Sequence, residues 1–334
     1  MNETETLKEI KTNEWINWEG KANVYYWNYS FSKRKELIGL IKFIKPDTIF
    51  INGLYSLYFN LLPLWYSLKT SQIKVVWSAR GMLHGGALAQ KAFKKKIFLF
   101  LIKLFRLHKK VVWHATDERE VHFIKQTMGD VQVKIAGNYP NLIEQLPVLT
   151  KNSGQLVLGT VALISPMKNH KAIIEALHNS TVPIKWMIYG PVKDDAYWKE
   201  CLQLIRQLPS HIEVVYEGEL PPTQLTAALS RLHVFVLPSE SENFGHAILE
   251  ALSAGKPVIT TVTTPFYQLA EQKAGMAVSL QGLAASLTRA IQQMYSMPQD
   301  EYEMYCVQAA AYARDHVSTA ALTHQYEQLF SFQP

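Results

Sequence analysis

Residues 238–261 read PSESENFGHAILEALSAGKPVITT and contain the loop, the helix and the second strand of one strand–loop–helix–strand unit of the predicted fold. The apolar run before them predicts a buried strand, which ends where the polar loop SESEN begins. Gly245 then opens an apolar helix, Gly255 suits a left-handed helix C-cap, and Pro257 starts the next strand. This order predicts a β–α–β unit with a ligand-accessible loop at the helix start.

The same alternation of short β-branched runs and longer helical patterns extends along the chain. Several runs are almost continuously apolar, as parallel strands buried on both faces are. The pattern therefore predicts an α/β protein built from doubly wound parallel sheets. The predicted strands are TIFIN (48–52), IKVVWS (73–78), VVWHAT (111–116), VQVKIA (131–136), QLVLGTVAL (155–163), IKWMIYG (184–190), HIEVVYEG (211–218), HVFVLPS (233–239) and PVITT (257–261).

Length and composition predict two cytosolic domains. At roughly 100 to 200 residues per domain, 334 residues suggest two, and a content of 48% hydrophobic residues excludes a disordered chain. The stretch 137–154, with its prolines and glycines, predicts a linker. We expect domains over 1–150 and 151–312 and a C-terminal helix over 313–334 that packs back on the first. Two cysteines, Cys201 and Cys306, are too few for a disulfide framework and show no metal-binding spacing.

The net charge of +6 conceals an uneven distribution. Residues 1–150 carry 22 Lys and Arg against 12 Asp and Glu, and no acidic residue lies between Asp47 and Asp117. The basic half faces something anionic or serves solubility, and charge alone does not distinguish the two. A nucleic-acid-binding module also fits such charge, but no recognisable RNA- or DNA-binding motif accompanies it, so nucleic acid is not an expected partner.

The segment KKKIFLFLIKLFRLHKK (94–110) combines lysines with apolar residues. Its apolar run is broken by Lys103 and is far shorter than the roughly twenty residues that span a bilayer. Two interpretations remain: residues 91–110 lie in an anionic membrane interface, or they form a helix that covers the sheet while its lysines are solvated. Residues 1–30 lack a signal peptide's apolar core, so we expect a cytoplasmic protein, peripheral at the inner face of the membrane under the first interpretation.

Glu242 and Glu250 flank the start of the helix in the 238–261 unit. A helix start offers free backbone N–H groups to a phosphate, and a carboxylate can accept two hydrogen bonds from sugar hydroxyls. A ligand with a diphosphate at the helix start can therefore meet one carboxylate at each end. Alternatively, Glu242 is a helix N-terminal charge and Glu250 a partly exposed helix residue, and the spacing alone leaves both readings open.

This unit resembles the family 4 glycosyltransferases of the GT-B fold, retaining enzymes that use nucleotide-activated sugars. NFGHAIL separates Glu242 from Glu250, as seven residues separate the two glutamates of that family, and AGKPVITT matches as well. The resemblance implies two Rossmann-like domains facing a cleft, with Glu242 at the donor sugar and Glu250 at the ribose hydroxyls. The donor-binding residues that it implies are Asn243, Phe244, Gly245, His246 and Glu250, joined by Lys168.

Lys168 lies in a second matching segment, VALISPMKNHKAIIEAL (161–177), just before a helix. The resemblance implies that Lys168 binds the diphosphate, so that no metal ion or other cofactor is needed. Where the family carries Gly-Arg, this chain has Ala162 and Leu163, so one of two customary cations is missing. The family also opens with a strand and a glycine-rich loop. Here no apolar strand precedes VYYW (24–27), which predicts that the first β–α unit of the N-terminal domain is absent.

In the first half, WSARGMLHGGALAQKAFKKK (77–96) resembles the acceptor-side loop of a bacterial surface-polysaccharide subgroup. Arg80 and Gly81 match that loop, and His84 lies within it. The Arg80 guanidinium suits acceptor or donor phosphates, and His84 can orient or deprotonate the acceptor hydroxyl. Alternatively, His84 is simply an exposed loop residue. His114 and Thr116 follow the next strand and either line the cleft or serve the structure.

Asn138 and Asn141 fall where the family carries an asparagine at its domain junction. Together the motifs predict a metal-independent retaining hexosyltransferase of surface-polysaccharide biosynthesis, such as that of lipopolysaccharide or capsule. Its donor is a nucleotide sugar, UDP before GDP, and its acceptor a lipid-linked or oligosaccharide hydroxyl. The predicted catalytic residues are Glu242, Lys168, Arg80 and His84. Two alternatives remain: a catalytically degenerate sugar-nucleotide-binding protein, and another GT-B chemistry such as a sugar-nucleotide epimerase.

Overall fold

The computed structural model describes residues 11–18, 20–28, 34–70, 72–84, 92–151 and 154–331. The chain forms two compact units, Met1–Gly137 with Ala321–Pro334, and Asn138–Ala320. The division differs from the predicted boundary at 150 because the linker bonds to the second unit. The Ile143 N–H donates to Ser253 Oγ at 2.9 Å, and the Leu146 N–H donates to the Ala254 carbonyl at 3.1 Å.

The first unit contains an antiparallel hairpin and a parallel sheet. Strands β1 (Trp15–Trp18) and β2 (Ala22–Tyr25) form the hairpin. The prediction that no apolar strand precedes residue 24 is therefore wrong: the turn that closes the pair has Gly20 at a φ of 70°, its N–H bonded to Asn17 Oδ1 at 2.8 Å. The predicted absence of a first β–α unit stays a prediction, since residues 1–10 lie outside the described part. The sheet consists of β3 (Thr48–Asn52), β4 (Lys74–Ser78), β5 (Val112–Ala115) and β6 (Val133–Ile135), in that order.

Helices α2, α3 and α4 lie between successive strands of this sheet. Right-handed crossovers place them on one face. There Trp77 of β4 stacks on Trp113 of β5 at 5.2 Å between ring centroids, and both side chains are buried. The helical elements are α1 (Arg34–Ile44), a π-helical segment (Leu57–Leu61), α2 (Leu62–Lys69), α3 (Ala92–Leu104), a 3-10 turn (Leu107–Lys109) and α4 (Glu118–Met128).

Helix α3 carries the predicted basic and apolar segment. Leu99 and Ile102 are buried in the core, so the helix does cover the sheet. Its other side leaves Phe93, Phe100 and Leu104 between 59% and 78% exposed. Residues 85–91, including Lys91, lie outside the described part of the chain. None of the described helices is both long and apolar enough to cross a membrane.

The second unit is built on a six-stranded parallel sheet in the order β12-β11-β10-β7-β8-β9. Every residue of β10 and β11 is buried, which explains their continuous apolar runs. The strands are β7 (Leu156–Val161), β8 (Ile184–Tyr189), β9 (Ile212–Gly218), β10 (Val234–Leu237), β11 (Val258–Thr261) and β12 (Gly275–Val278). The helices are α5 (His170–His178), α6 (Asp195–Ile205), α7 (Leu225–Ser230), α8 (His246–Ser253), α9 (Leu283–Ser296) and α10 (Gln299–His316).

The C-terminal helix α11 (Thr319–Phe330) packs on the sheet of the first unit. Its Leu329 is buried with Val76, whose side chain points to the face opposite Trp77. Lys74 Nζ donates to the carbonyls of Leu329 and Ser331 at 2.8 Å each. A cation here also interacts favourably with the negative end of the helix dipole.

Candidate active site

The candidate site lies at the carboxyl ends of β7 and β10, which are neighbours in the second unit's sheet. After β7 the chain forms a 3-10 turn (Pro166–Lys168) and enters α5, and after β10 it passes through residues 238–244 into α8. The Glu240 N–H donates to the Met167 carbonyl at 2.9 Å, which joins the two loops. Parallel α/β sheets bind their ligands where such loops meet.

Lys168 and Glu242 form an ion pair between these loops. Lys168 Nζ donates to Glu242 Oε1 at 2.5 Å, and Ser239 Oγ donates to the same oxygen at 2.6 Å. Their side chains are only 20% and 14% exposed. Asn169, at a φ of 54°, turns the chain into α5 and bonds to the Pro238 carbonyl at 2.8 Å through its side chain. The two predicted charges, far apart in sequence, are thus held together.

Helix α8 begins at a position that requires glycine. Gly245 has a φ of 75°, and a Cβ there would lie 2.8 Å from Phe266. The Leu249 N–H donates to the Gly245 carbonyl at 3.0 Å, so the first turn starts here. The N–H groups of a first helical turn have no acceptor within the helix, which makes this turn suited to an anion.

A cavity of about 350 Å³ lies against these groups. It is lined by Lys168 and Glu242, by residues 243–247 at the start of α8, and by Asn138. Leu163 also lines it and is 41% exposed, so an apolar side chain occupies a position where the resembled family has arginine. Among the residues that the structure describes, no group of three or more His, Cys, Asp or Glu could hold a metal ion.

Glu250 lies one turn beyond His246, the first residue of α8, and is half-buried. Asn141 Nδ2 donates to Glu250 Oε1 at 3.5 Å. Burial raises the pKa of Glu250, and the hydrogen bond from Asn141 opposes this effect. The Glu250 carboxylate is thus partly shielded from water and can still accept further hydrogen bonds.

In the first unit, a carboxylate that the sequence analysis overlooked organises the Arg80 loop. Glu120 is buried and accepts hydrogen bonds from the Gly81 N–H at 2.6 Å and from the N–H and Oγ1 of Thr116 at 2.8 and 2.9 Å. Arg80 has a φ of 49°, and its Nε donates to Asn52 Oδ1 at 2.8 Å. Thr116 thus has a structural contact, and the signal for Glu120 was its place in the first turn of α4, directly after a strand.

His114 is structural, while His84 lies on the surface of the same unit. The His114 ring is buried, with Nδ1 2.8 Å from Ser78 Oγ and Nε2 2.8 Å from the Ala136 carbonyl oxygen. Burial lowers its pKa. The alternative that His114 lines a cleft is therefore wrong, because both ring nitrogens are engaged within the core. The His84 ring packs against Phe123 at 5.7 Å.

His170, the first residue of α5, is fully buried beneath the ion pair's loop. Neither ring nitrogen has a hydrogen-bond partner within the described residues. Burial, together with the charge of Lys168, lowers the pKa of His170 to about 4. The ring is therefore neutral in the folded chain at neutral pH.

This histidine makes folding acid-sensitive. In the unfolded chain His170 takes up a proton near pH 6.5, whereas the folded chain resists it until about pH 4, so stability is lost as the pH falls through this window. We expect the free energy of unfolding to be about 2 kcal/mol lower at pH ~5 than at pH ~7 through this group. Chemical denaturation of wild type and His170→Leu at both values measures it, with the exposed His178→Gln as control. Equal losses in wild type and His170→Leu would contradict the assignment.

The chain belongs to the family described as glycosyl transferases group 1, whose model matches residues 143–313, about half of the chain. Its fold is GT-B, with two Rossmann-like units. It resembles HepE of Anabaena in complex with UDP-glucose (TM-score 0.64, 16% identity, 92% of this chain and 86% of that one). It also resembles sucrose-phosphate synthase of Thermosynechococcus elongatus (TM-score 0.62, 17% identity, 93% of this chain and 81% of that one).

Two curated relatives share part of the sequence. The O-antigen chain mannosyltransferase B of Escherichia coli is 30% identical over an alignment of 132 residues that covers 36% of this chain and 33% of that protein. The sulfoquinovosyl transferase SQD2 of Arabidopsis thaliana is 29% identical over 102 residues, 30% of this chain and 18% of that protein. The matches thus span a third or less of these relatives.

Proposed function

We propose that this group 1 glycosyltransferase is a retaining, family 4 enzyme that moves a sugar from a nucleoside diphosphate to a lipid-linked or oligosaccharide hydroxyl in polysaccharide assembly. The observation that carries the proposal is the Lys168–Glu242 pair, bonded at 2.5 Å beside the start of α8 on a cavity of about 350 Å³. The O-antigen mannosyltransferase supports polysaccharide assembly, and the UDP-glucose complex of HepE supports uridine over guanosine.

We assign each polar group of the site to one part of the nucleotide-sugar donor. In the proposed function, the diphosphate binds to Lys168 and to the first-turn N–H groups of α8, which include those of residues 246–248. Glu242 then binds the sugar hydroxyls, and Glu250, one turn into α8, binds the ribose hydroxyls. Asn243 and Phe244 line the same cavity. Leu163 brings no charge, so Lys168 carries more of the leaving group's stabilisation.

Retention needs no protein nucleophile in this arrangement. The bond from the anomeric carbon to the phosphate oxygen breaks while the acceptor oxygen bonds to that carbon on the same face. The acceptor's proton passes to the departing phosphate oxygen, so charge and atoms balance. Lys168 and the helix N–H groups stabilise the growing negative charge of the nucleoside diphosphate in place of a metal. Arg80 and His84 are the proposed acceptor-side residues.

Calorimetry with UDP, GDP and their sugar-bearing forms tests the donor site. We expect wild type to bind UDP and UDP-sugars more tightly than GDP, and to release UDP when an acceptor is supplied. Failure of the folded chain to bind any nucleotide would contradict the proposal. Binding without sugar transfer would favour the degenerate sugar-nucleotide-binding protein, which the apolar Leu163 makes a specific alternative. A product that remains a nucleotide sugar would indicate an epimerase.

We further propose that α3 holds the enzyme on an anionic membrane carrying a lipid-linked acceptor. Phe93, Phe100 and Leu104 are exposed beside Lys94 and Lys96, the combination that interfacial helices show. Anionic lipid attracts such lysines, and salt screens the attraction.

Liposome flotation measures this binding. We expect salt-sensitive flotation with anionic vesicles, reduced at least about tenfold in Leu101→Ser/Leu104→Ser because two apolar side chains no longer enter the interface. The matched control is Leu202→Ser/Leu204→Ser, which changes two exposed leucines of the second unit. Equal binding to neutral vesicles, or an equal loss in the control, would contradict the membrane role.

A further inference from the structure

A cavity of about 350 Å³ lies at the amino ends of β4, β5 and β6 in the first unit. It is at the opposite edge of the sheet from the Arg80 loop, which follows the carboxyl end of β4. The side chains that line it include Lys74, Lys109, Lys110 and Lys134, and none of the described lining residues is acidic. We refer to it as the lysine cavity.

The fold fixes two of these ammonium groups. Lys74 Nζ donates to the carbonyl of Leu329, in the last turn of α11, and to that of Ser331, just after the helix. Lys134 Nζ donates to the Gln328 carbonyl at 2.6 Å. Burial lowers the pKa of Lys74, and the nearby charge of Lys134 lowers it further. The two cations are therefore close enough to repel each other, and an anion between them would relieve the repulsion.

The other two lysines of the cavity do not bond to the carbonyls at the end of α11. Lys109 and Lys110 close the turn before β5, and their ammonium groups have no hydrogen-bond or ion-pair partner within the residues that the structure describes. They are exposed at the cavity's rim. Four positive side chains thus surround a space that carries no compensating carboxylate among the described residues.

We propose that the lysine cavity binds a phosphate-bearing anion with at least two negative charges, a diphosphate or a phosphomonoester. Lysine ammonium groups bind phosphate oxygens as point charges without demanding one geometry, and about 350 Å³ lies within the usual size of small-ligand sites. The anion is a soluble phosphorylated metabolite or a lipid headgroup. The site is separate from the donor site of the second unit and does not depend on its role.

Lysine-acetylation footprinting of the full chain with pyrophosphate tests the proposal residue by residue. We expect pyrophosphate to slow acetylation of Lys109 and Lys110 severalfold at an ionic strength held constant with chloride, while Lys94 and Lys96 on α3 react unchanged. Protection at Lys168 reports the donor site alone, so failure of either site is visible separately. Equal reactivity of Lys109 and Lys110 with and without pyrophosphate overturns the lysine cavity.

Two charge-matched variants add an affinity measurement. Lys109→Gln/Lys110→Gln should weaken pyrophosphate binding to the first unit about tenfold or more. The control Lys199→Gln/Lys273→Gln, which changes two exposed lysines of the second unit, should leave it unchanged. An equal effect in both overturns the proposal, because it indicates only general charge. Vesicles containing phosphatidic acid distinguish the sources. The vesicle assay uses the Leu101→Ser/Leu104→Ser background, which removes the α3 contact with anionic membranes. There, vesicle binding that Lys109→Gln/Lys110→Gln abolishes and pyrophosphate displaces assigns a lipid headgroup. Vesicle binding that both variants retain, or no vesicle binding at all, assigns a soluble ligand to the cavity.

Discussion

Glu250→Ala is expected to weaken binding of the nucleoside diphosphate at least about tenfold, and up to several hundredfold if both ribose hydroxyls bond to the carboxylate. The carboxylate is half-buried and has only a long contact, 3.5 Å, from Asn141. A ligand that supplies two hydroxyl donors would therefore satisfy a group that the chain itself leaves under-used. Titration calorimetry with UDP measures the loss of affinity. The matched control is Glu240→Ala, which changes an exposed glutamate of the neighbouring loop.

Stability gives an independent check on this prediction. Because burial raises the pKa of Glu250, the folded chain holds its proton more tightly than the unfolded chain. Stability therefore falls as the pH rises from the ordinary carboxyl range to the raised value, and the charge costs stability above it. We expect Glu250→Gln to melt at a higher temperature than wild type at neutral pH while binding UDP more weakly. A variant that binds UDP like wild type would place the ribose elsewhere.

The buried strands were the part of the fold most visible in the sequence. Val234–Leu237 and Val258–Thr261 are buried along their whole length, so their apolar runs carry a signal that does not depend on neighbours. The short strand Gly275–Val278 was missed because a glycine and an alanine occupy half of it. Trp15–Trp18 was missed because it is mostly exposed and obtains its partner from an antiparallel hairpin.

In the candidate site, too, the features that depend on packing could not be predicted from the sequence. Sequence placed Lys168 and Glu242 each at the end of a strand, and the rule that such ends meet at one sheet edge brings them together. The sequence did not show that the Ser239 hydroxyl donates to the same Glu242 oxygen as Lys168. Nor did it show that the buried ring nitrogens of His170 have no hydrogen-bond partner within the described residues, since both features depend on packing. Glu120 was overlooked for a similar reason: two of its three hydrogen-bond donors are backbone N–H groups, which leave no trace in side-chain spacing.

Lys168→Met should reduce kcat about 100- to 1000-fold, the usual loss when one preorganised donor to a developing negative charge is removed. The same change removes the cation from an ion pair whose carboxylate is only 14% exposed. Glu242 then keeps the hydrogen bond from the Ser239 hydroxyl, but part of the cost of dehydrating its carboxylate is left uncompensated, so we also expect about 1–3 kcal/mol lower stability. Steady-state kinetics and chemical denaturation measure the two effects separately.

The double variant Lys168→Met/Glu242→Gln decides whether Lys168 acts on the reaction or only on the fold. Glu242→Gln alone is the reference for kcat, because Glu242 itself contacts the donor sugar in the proposed function. Removing both charges leaves no unpaired carboxylate, so stability should return toward the wild-type value while kcat stays about 100- to 1000-fold below that of Glu242→Gln. Lys171→Met is the matched control, because Lys171 pairs with Glu200 at 40% and 58% exposure and such surface pairs contribute about 0–1 kcal/mol. If the double variant is as active as Glu242→Gln alone, Lys168 serves the loop geometry and the leaving group must be stabilised by the N–H groups of α8.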